Sequence, residues 1–219
     1  MATKAELLSR EAVPPRSTRI RAAIIEAATR AFLRGGYRAT SMDEIAASAG
    51  VSKQTVYKHF SDKERLFAEI VTVTVEQASS PVHEEVTNLQ DSGDLGADLR
   101  DLARRQLGLV LQPQVMQLRR LVIGEANRFP ELGRVFYEQG PARTIAALAS
   151  SFERLAARGL LHLDDALLAA TQFNWLIMSE PINQAMLLGE DGPPNPADLD
   201  RWIEGGVHVF LTVYGPREH

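Results

Sequence analysis

The chain has 219 residues, of which 45% are hydrophobic, so it is long enough to bury a sizeable core. It contains no cysteine, which excludes a disulfide framework and thiolate metal sites and favours a reducing compartment. The N-terminal residues lack the apolar stretch of an export signal, and the best apolar run, residues 166–178, is interrupted by polar side chains. We therefore expect a globular protein of the cytoplasm that does not span a membrane.

The net charge of −4 is distributed unevenly along the chain. Residues 1–67 carry 12 Lys and Arg against 7 Asp and Glu, whereas the remaining residues carry 12 against 21. All of the lysines lie in the first part: Lys4, Lys53, Lys58 and Lys63. A basic segment attached to an acidic body is typical of a protein whose first part meets an anion such as nucleic acid. On the charges alone, a random scatter of surface residues is the alternative.

The first part of the chain has the pattern of four helices. Capping residues mark the four predicted helix starts: Ser17 or Thr18, Ser41, Ser52, and Ser61. Gly35–Gly36 is expected to end the first helix and Gly50 the second, because glycine is common just past a helix C-terminus. The fourth helix is predicted to run towards residue 79.

Beyond residue 80 the sequence continues as helical segments separated by breaks rich in glycine and proline, one of them at Gly140 and Pro141. The segments predicted from helical spacing are 95–112, 114–128, 131–139, 142–158, 164–188 and 197–213. Pro181 is expected to kink or end its helix, because proline removes a donor and clashes with the preceding turn. Since no strand pattern of comparable length is present, we predict an all-α fold of about nine or ten helices.

The third predicted helix is short and strongly polar. It has an apolar side, formed by Val56 and Phe60, and a polar remainder: Gln54, Thr55 and Lys58 opposite, with Tyr57 and His59 at the flanks. A helix of roughly eight residues is not stable alone, so it must be held by packing while it presents its polar face. Lys, Gln and Thr side chains match the donors, acceptors and methyl groups of base edges in the DNA major groove. The same side chains can also contact phosphates only, and an ordinary solvated helix face is the remaining alternative.

The segment TSMDEIAASAGVSKQTVYKHFSDKERLFAEIV resembles the DNA-binding segment of the TetR family of transcriptional regulators, and the resemblance covers about residues 17–70. It implies an all-helical homodimer that binds a palindromic operator, usually as a repressor, and releases it when a small molecule enters the C-terminal domain. Carried over by position, it implies DNA-binding roles for these residues: Thr40, Ser41, Ser52, Lys53, Gln54, Thr55, Tyr57, Lys58, His59 and Lys63. Among them, Tyr57 and Lys63 are expected to contact phosphates.

The later segments RLVIGEANRFPELGRVFYEQGPAR and LAARGLLHLDDALLAATQFNWLIMSEP are similar to the AefR-like C-terminal domain of some TetR-family members. The two resemblances imply a flexible tail (1–16), a three-helix helix-turn-helix domain (17–64) and a larger helical ligand-binding and dimerisation domain (65–219). They imply no particular effector, because the pockets of this family differ from one member to the next.

The resemblance further implies that the last two helices, 164–188 and 197–213, pair with their symmetry mates in a four-helix bundle. Their large apolar residues should divide between this interface and the core: Phe173, Trp175, Ile177, Trp202, Val209 and Phe210. A ligand pocket should be mostly apolar with a few convergent polar groups. Its candidate residues on the middle helices are Met116, Arg120, Glu125, Phe129, Phe136, Phe152, Gln172 and Asn174, for which plain core packing is the alternative.

The sequence contains no recognisable catalytic motif. It lacks the H-E-x-x-H and G-x-S-x-G motifs and any glycine loop that cradles phosphate, and its five histidines have no metal-ligand spacing. We therefore expect no enzyme activity, no metal and no cofactor. A helical small-molecule-binding protein without DNA-binding activity is the alternative function.

Overall fold

The computed structural model describes residues 15–89, 93–189 and 195–216. These residues are mostly helical and contain no β-strand, which confirms the predicted all-α fold. The predicted tail, residues 1–16, lies almost wholly outside the described residues. The chain divides into two compact units between Ile70 and Val71, and each is described by itself.

The first unit contains three helices and the start of a fourth: α1 (Arg16–Ala39), α2 (Met42–Ser48), α3 (Lys53–His59) and α4 (Lys63–Asn88). The predicted caps of α2 and α3 are confirmed. The Ser41 hydroxyl accepts from the backbone nitrogen of Glu44 at 3.1 Å, and the Ser52 hydroxyl accepts from that of Thr55 at 3.1 Å. Gly50, with a φ of 66°, adopts the left-handed conformation that ends α2 as predicted.

The helix α1 differs from its prediction at both ends. It begins immediately after Pro15, so neither Ser17 nor Thr18 caps it. Proline can precede a helix because its fixed φ suits the approach to the first turn. At the other end, Gly36 has a φ of 79° and a ψ of 162°, yet a further turn follows before the helix ends. The predicted stop is therefore a break within the element.

The helix α4 has a different cap from the predicted Ser61. Oδ1 of Asp62 accepts from the backbone nitrogen of Arg65 at 2.7 Å, and the Ser61 hydroxyl donates to Oδ2 of Asp62 at 2.7 Å. These hydrogen bonds, from Ser61 first and from the backbone of Arg65 second, lower the pKa of the Asp62 carboxyl group. A carboxylate also interacts favourably with the positive end of the helix dipole, which explains why Asp62 and not Ser61 occupies the cap.

Packing around three aromatic rings holds the first unit together. The ring of Phe32 lies 5.4 Å from that of Tyr37 and 5.2 Å from that of Phe67, and the last two are 4.9 Å apart. Val56 and Phe60 are buried, as predicted, and they anchor α3. A helix of 7 residues, which is too short to be stable in isolation, is thereby fixed by its neighbours.

The second unit contains the rest of α4 and six further helices: α5 (Leu95–Val110), α6 (Pro113–Glu125), α7 (Pro130–Tyr137), α8 (Arg143–Ala157), α9 (Ala166–Leu188) and α10 (Pro196–Tyr214). Their bounds agree with the predicted segments to within a few residues. The core between α5, α8, α9 and α10 includes a cluster of three buried rings. The ring centroid of Phe152 lies 5.8 Å from that of Phe173 and 5.1 Å from that of Phe210, and the centroids of Phe173 and Phe210 are 5.1 Å apart.

Three prolines lie within helical elements, near positions where the sequence predicted an end, a break or a kink. The helix α4 continues through Pro81 to Asn88, and Val86, further along it, packs in the core of the second unit. The helix α9 continues through Pro181, which is itself buried. Between α7 and α8 a π turn, Glu138–Ala142, contains Pro141 and replaces the predicted break. At Pro181, the buried side chains of Met178 and Ala185, before and after it, help to offset the lost backbone hydrogen bond.

Candidate DNA interface and ligand cavity

The polar face of α3 is exposed, as its short sequence predicts. Gln54 and Lys58 are exposed and form no hydrogen bond or ion pair with another described residue, and Tyr57 is 43% exposed. His59, half-buried at the flank, lies beside the ring of Phe60 at 6.5 Å between ring centroids. The buried side of the helix fixes its position, so the exposed side is a preorganised surface of donors and acceptors.

The two predicted DNA-binding serines cap α2 and α3. Ser41 caps α2 and Ser52 caps α3, and the Ser52 hydroxyl lies 2.8 Å from the Thr55 hydroxyl. The two helices therefore keep a fixed start, and the Thr55 hydroxyl already has a partner. Both serines are exposed, so contacts with phosphate remain sterically open to them.

Lys53 is engaged by a carboxylate of the neighbouring helix. Its Nζ lies 2.8 Å from Oδ1 and 3.1 Å from Oδ2 of Asp43. This hydrogen bond, together with the charge of Asp43, raises the pKa of the Lys53 amino group. Both side chains are exposed, and exposed ion pairs are weak, so a phosphate can compete with Asp43 for the lysine.

Thr40 and Lys63 support the C-terminal end of α1. Thr40 is 2% exposed, and its hydroxyl donates to the backbone oxygens of Gly36 at 2.9 Å and Ala31 at 3.2 Å, which leaves no side-chain surface for DNA. Nζ of Lys63 donates to the backbone oxygens of Tyr37 at 2.8 Å and Thr40 at 2.9 Å. A positive charge at the end of a helix is stabilising, so Lys63 has a structural role. Its contact with phosphate stays a prediction.

The second unit contains a cavity of about 60 Å³. The residues that line it come from α4 to α9 and from the π turn: Val75, Gln106, Val110, Val115, Arg119, Phe136, Gly140, Pro141, Thr144, Asn174, Trp175, Met178 and Ile182. The wall is mostly apolar, with a small number of polar side chains. This combination is the one expected of a small-molecule site.

The polar groups of the cavity are incompletely satisfied. Nε2 of Gln106 donates to Oδ1 of Asn174 at 3.0 Å, but Oε1 of Gln106 is buried and has no hydrogen-bond partner among the described residues. The same holds for Nε of Arg119, whose guanidinium carbon lies 5.1 Å from the ring centroid of Phe136. Burial lowers the pKa of Arg119, because a desolvated cation is disfavoured. Buried polar atoms without a partner are rare and need an explanation.

The structure brings two of the predicted ligand residues, Phe136 and Asn174, to this cavity. The others lie elsewhere. Met116 and Phe152 are buried in the core. Nη1 of Arg120 donates to the backbone oxygen of Ala185 at 2.7 Å.

Three further predicted ligand residues also lie away from the cavity wall. The backbone nitrogen of Phe129 donates to the backbone oxygen of Glu125 at 2.8 Å, which places both at the end of α6. Oε1 of Gln172 accepts from the Tyr214 hydroxyl at 2.5 Å in an exposed groove between α9 and α10.

The sequence contained signals for the polar residues that the prediction missed. Gln106 interrupts the buried stripe of α5, between Ala103 and Leu107. A polar residue on an apolar helix face is a candidate for a site, because it must find a partner. Arg119 shares its side of α6 with the buried Val115 and Val122, which lie four residues before and three after it. This position around the helix axis distinguishes Arg119 from the adjacent Arg120.

The helices α9 and α10 carry large apolar side chains on an exposed face. Of the residues predicted to divide between interface and core, Phe173, Ile177 and Phe210 are buried within the protomer. The other three are exposed: Trp175, Trp202 and Val209. Val213, which is 64% exposed, continues the same face along α10 and lines a groove with Trp175.

Two family models match the chain. The model for bacterial regulatory proteins of the tetR family matches residues 24–70, and the model for the C-terminal domain of AefR-like transcriptional repressors matches residues 97–216. The second match alone covers more than half of the chain. The chain belongs to the TetR family.

Solved structures of the TetR family are similar over most of the chain. A transcriptional regulator from Mesorhizobium loti is 42% identical, with a TM-score of 0.86, and the match covers 92% of this chain and 100% of that one. The flavonoid-responsive regulator FrrA is 34% identical, with a TM-score of 0.73, over 92% of this chain and 100% of its own. The regulator YhgD of Bacillus subtilis is 42% identical over 73 residues, which is 29% of this chain and 38% of that relative's length.

TetR-family members are transcriptional regulators that bind DNA, and they are not enzymes. The exposed polar face of α3 lies within the matched DNA-binding segment. No described helix is both long and apolar enough to cross a membrane. Within the described ranges, no cluster of three or more acidic or histidine side chains is arranged to hold a metal ion.

Proposed function

We propose that this TetR-family protein is a ligand-responsive repressor that binds a palindromic operator as a dimer and releases it when a small molecule binds. The exposed polar face of α3, fixed by its buried side, is the observation that carries the proposal. Residues 17–64 bind DNA in this scheme, and residues 65–219 bind the ligand and form the dimer. The protein acts in the cytoplasm, where the DNA lies.

The comparisons support the finer parts of the proposal. The C-terminal match is to a domain described for transcriptional repressors, and FrrA is described as responsive to flavonoids. The partly unsatisfied cavity in the second unit supports a ligand response of this chain. A ligand releases the operator only if it binds a conformer with misplaced recognition helices more tightly than the DNA-binding conformer.

A dimer is part of the mechanism because two α3 helices must reach two half-sites about 34 Å apart, or a multiple of that distance. The apolar face of α9 and α10 supports a second copy of the chain as its partner. An isologous contact through this face gives a closed, twofold-symmetric assembly, which matches the symmetry of a palindromic site.

Gln54 is expected to read a base edge. Replacing Gln54 with alanine should change the base preference at one symmetric pair of operator positions, with discrimination reduced by about 1–3 kcal/mol. The measurement is selection from a random DNA library followed by competition gel shifts at several salt concentrations.

Gln114, which is exposed at the start of α6, provides the matched control, and Gln114→Ala should leave the preference unchanged. An unaltered preference in the Gln54 variant would remove this residue from sequence readout. If the parent protein binds no duplex, or binds without a steep loss on adding salt, the regulator proposal itself fails and a ligand-binding protein without DNA binding remains.

Val213 is expected to lie in the dimer interface. Val213→Asp should convert the protein to monomers at micromolar concentration, because the new carboxylate would be desolvated without a partner. Sedimentation velocity measures the oligomeric state, and circular dichroism shows that the variant is folded. Ile123→Asp, at an exposed position on α6, should leave the dimer intact. A Val213 variant that remains dimeric would place the interface elsewhere.

A further inference from the structure

The cavity of the second unit offers one unpaired hydrogen-bond acceptor. Gln106 is 4% exposed, and its amide nitrogen is already used by Asn174. Its Oε1 remains as an acceptor without a partner among the described residues. A ligand that satisfies this atom must bring a hydroxyl or an N–H group, since an acceptor requires a donor.

The cavity also offers an uncompensated cation. The lining residues include no carboxylate, and no acidic side chain of the described ranges forms an ion pair with Arg119. Its guanidinium group lies over the ring of Phe136, which stabilises the cation. Nε of Arg119, however, donates no hydrogen bond to any described residue. Arginine remains charged in proteins, so the matching ligand group is an anion, and a carboxylate suits the planar guanidinium.

The lining residues other than Gln106 and Arg119 indicate what the remaining part of the ligand, its body, is made of. This part of the wall is apolar apart from Thr144 and Asn174, and two aromatic side chains, Phe136 and Trp175, contribute to it. The volume of about 60 Å³ is far below the roughly 300–1,000 Å³ of pockets for drug-sized ligands. A single aromatic ring is therefore the body that requires the smallest movement of the wall.

We propose that this cavity binds a hydroxylated aromatic carboxylate, whose carboxylate pairs with Arg119 and whose hydroxyl group donates to Oε1 of Gln106. The inference rests on the proposed ligand response and specifies the chemical class of its effector. An aliphatic carboxylate leaves Gln106 unsatisfied, and a simple phenol leaves the charge of Arg119 without an anion.

Isothermal titration calorimetry of the full chain without DNA tests this class. The probes are 2-, 3- and 4-hydroxybenzoate, with benzoate, phenol and octanoate as partial matches. At least one hydroxybenzoate isomer is expected to bind about tenfold more tightly than benzoate, phenol or octanoate, because each partial match lacks one hydrogen-bonded group. Equal or tighter binding of octanoate or phenol would overturn the assignment, and so would the absence of binding by all three isomers.

Variants of adjacent arginines locate the site. Arg119→Met should weaken the best isomer by at least about tenfold, since a charge-assisted contact is lost. Arg120→Met is the matched control and should retain the affinity, because Arg120 donates to Ala185 and does not line the cavity. Gln106→Leu should weaken the hydroxybenzoate by about tenfold and leave benzoate unchanged.

Unliganded stability separates a binding role of Arg119 from a structural one. Removing a partly buried charge that has no carboxylate partner among the described residues should leave the thermal midpoint of Arg119→Met equal to or above that of the parent. A lower midpoint together with undiminished hydroxybenzoate affinity would overturn the proposal. Operator gel shifts report separately on the regulator. Intact operator binding without hydroxybenzoate binding overturns only the ligand assignment, whereas hydroxybenzoate binding by a chain that binds no operator overturns the proposed function and leaves the cavity assignment supported.

Discussion

Replacing Phe152 with alanine is expected to lower the free energy of unfolding by about 3–5 kcal/mol. Phe152 is fully buried, and its ring contacts those of Phe173 and Phe210 at the centre of the second unit. The substitution removes most of a large apolar side chain and leaves a cavity that the surrounding helices fill only in part. Chemical denaturation followed by circular dichroism measures the change, at a fixed protomer concentration because association also affects stability.

Leu187→Ala serves as the control for the Phe152 variant. Leu187 is among the exposed apolar residues, so its truncation should change the free energy of unfolding by no more than about 0.5 kcal/mol. A loss smaller than about 1 kcal/mol in Phe152→Ala would contradict the packing described for this core.

A methyl group at position 206 is expected to disturb the crossing of α9 and α10. A Cβ atom there would lie 2.6 Å from Cδ1 of Ile177 and 3.3 Å from the backbone oxygen of Leu176. Ile177 is fully buried and has little room to move. Gly206→Ala should therefore be less stable than Gly205→Ala by about 1–3 kcal/mol, the usual effect of overpacking a core.

The adjacent Gly205 is the matched control because a Cβ atom there meets nothing within 4 Å. Both substitutions gain the same helix propensity, about 1 kcal/mol, so this term cancels in the comparison. Gly205 shares the exposed face of α10 with Trp202 and Val209, and the oligomeric state of both variants is therefore measured alongside their stability. If the two variants have equal free energies of unfolding and the same oligomeric state, the predicted overpacking between α9 and α10 at position 206 is wrong.

Much of the fold is predictable because local signals and burial agree. The caps at Ser41 and Ser52, the glycine turn at Gly50 and the apolar side of α3 are all encoded within a few residues of one another. The helix ends and breaks predicted near prolines did not form, because the effect of a proline depends on tertiary packing. The helix α9 continues through Pro181, which packs in the interior together with Met178 and Ala185, and the local sequence does not reveal this packing.

The candidate sites are predictable to different degrees. The exposed residues of α3 are predictable from the helical periodicity of their short segment. The hydrogen bonds of Thr40 and Lys63 at the end of α1 are not, and the DNA contacts of these two residues stay predictions. Their partners are backbone oxygens distant in sequence, which no side-chain pattern encodes. The cavity depends on the relative rotation of six helices and the π turn. For this reason the sequence identified Phe136 and Asn174 but selected Arg120 where the structure places Arg119.

The π turn at Glu138–Ala142 sets the rotational phase between α7 and α8. In an uninterrupted α-helix, Phe136 and Thr144 would point about 80° apart, because each residue adds about 100°. The extra residue of the π turn absorbs one such step, which reduces the difference to about 20°. Both side chains therefore line the same wall. If the same residues formed an uninterrupted α-helix through this turn, Arg143 would take the direction that Thr144 has now, and the cavity would contain two cations instead of one.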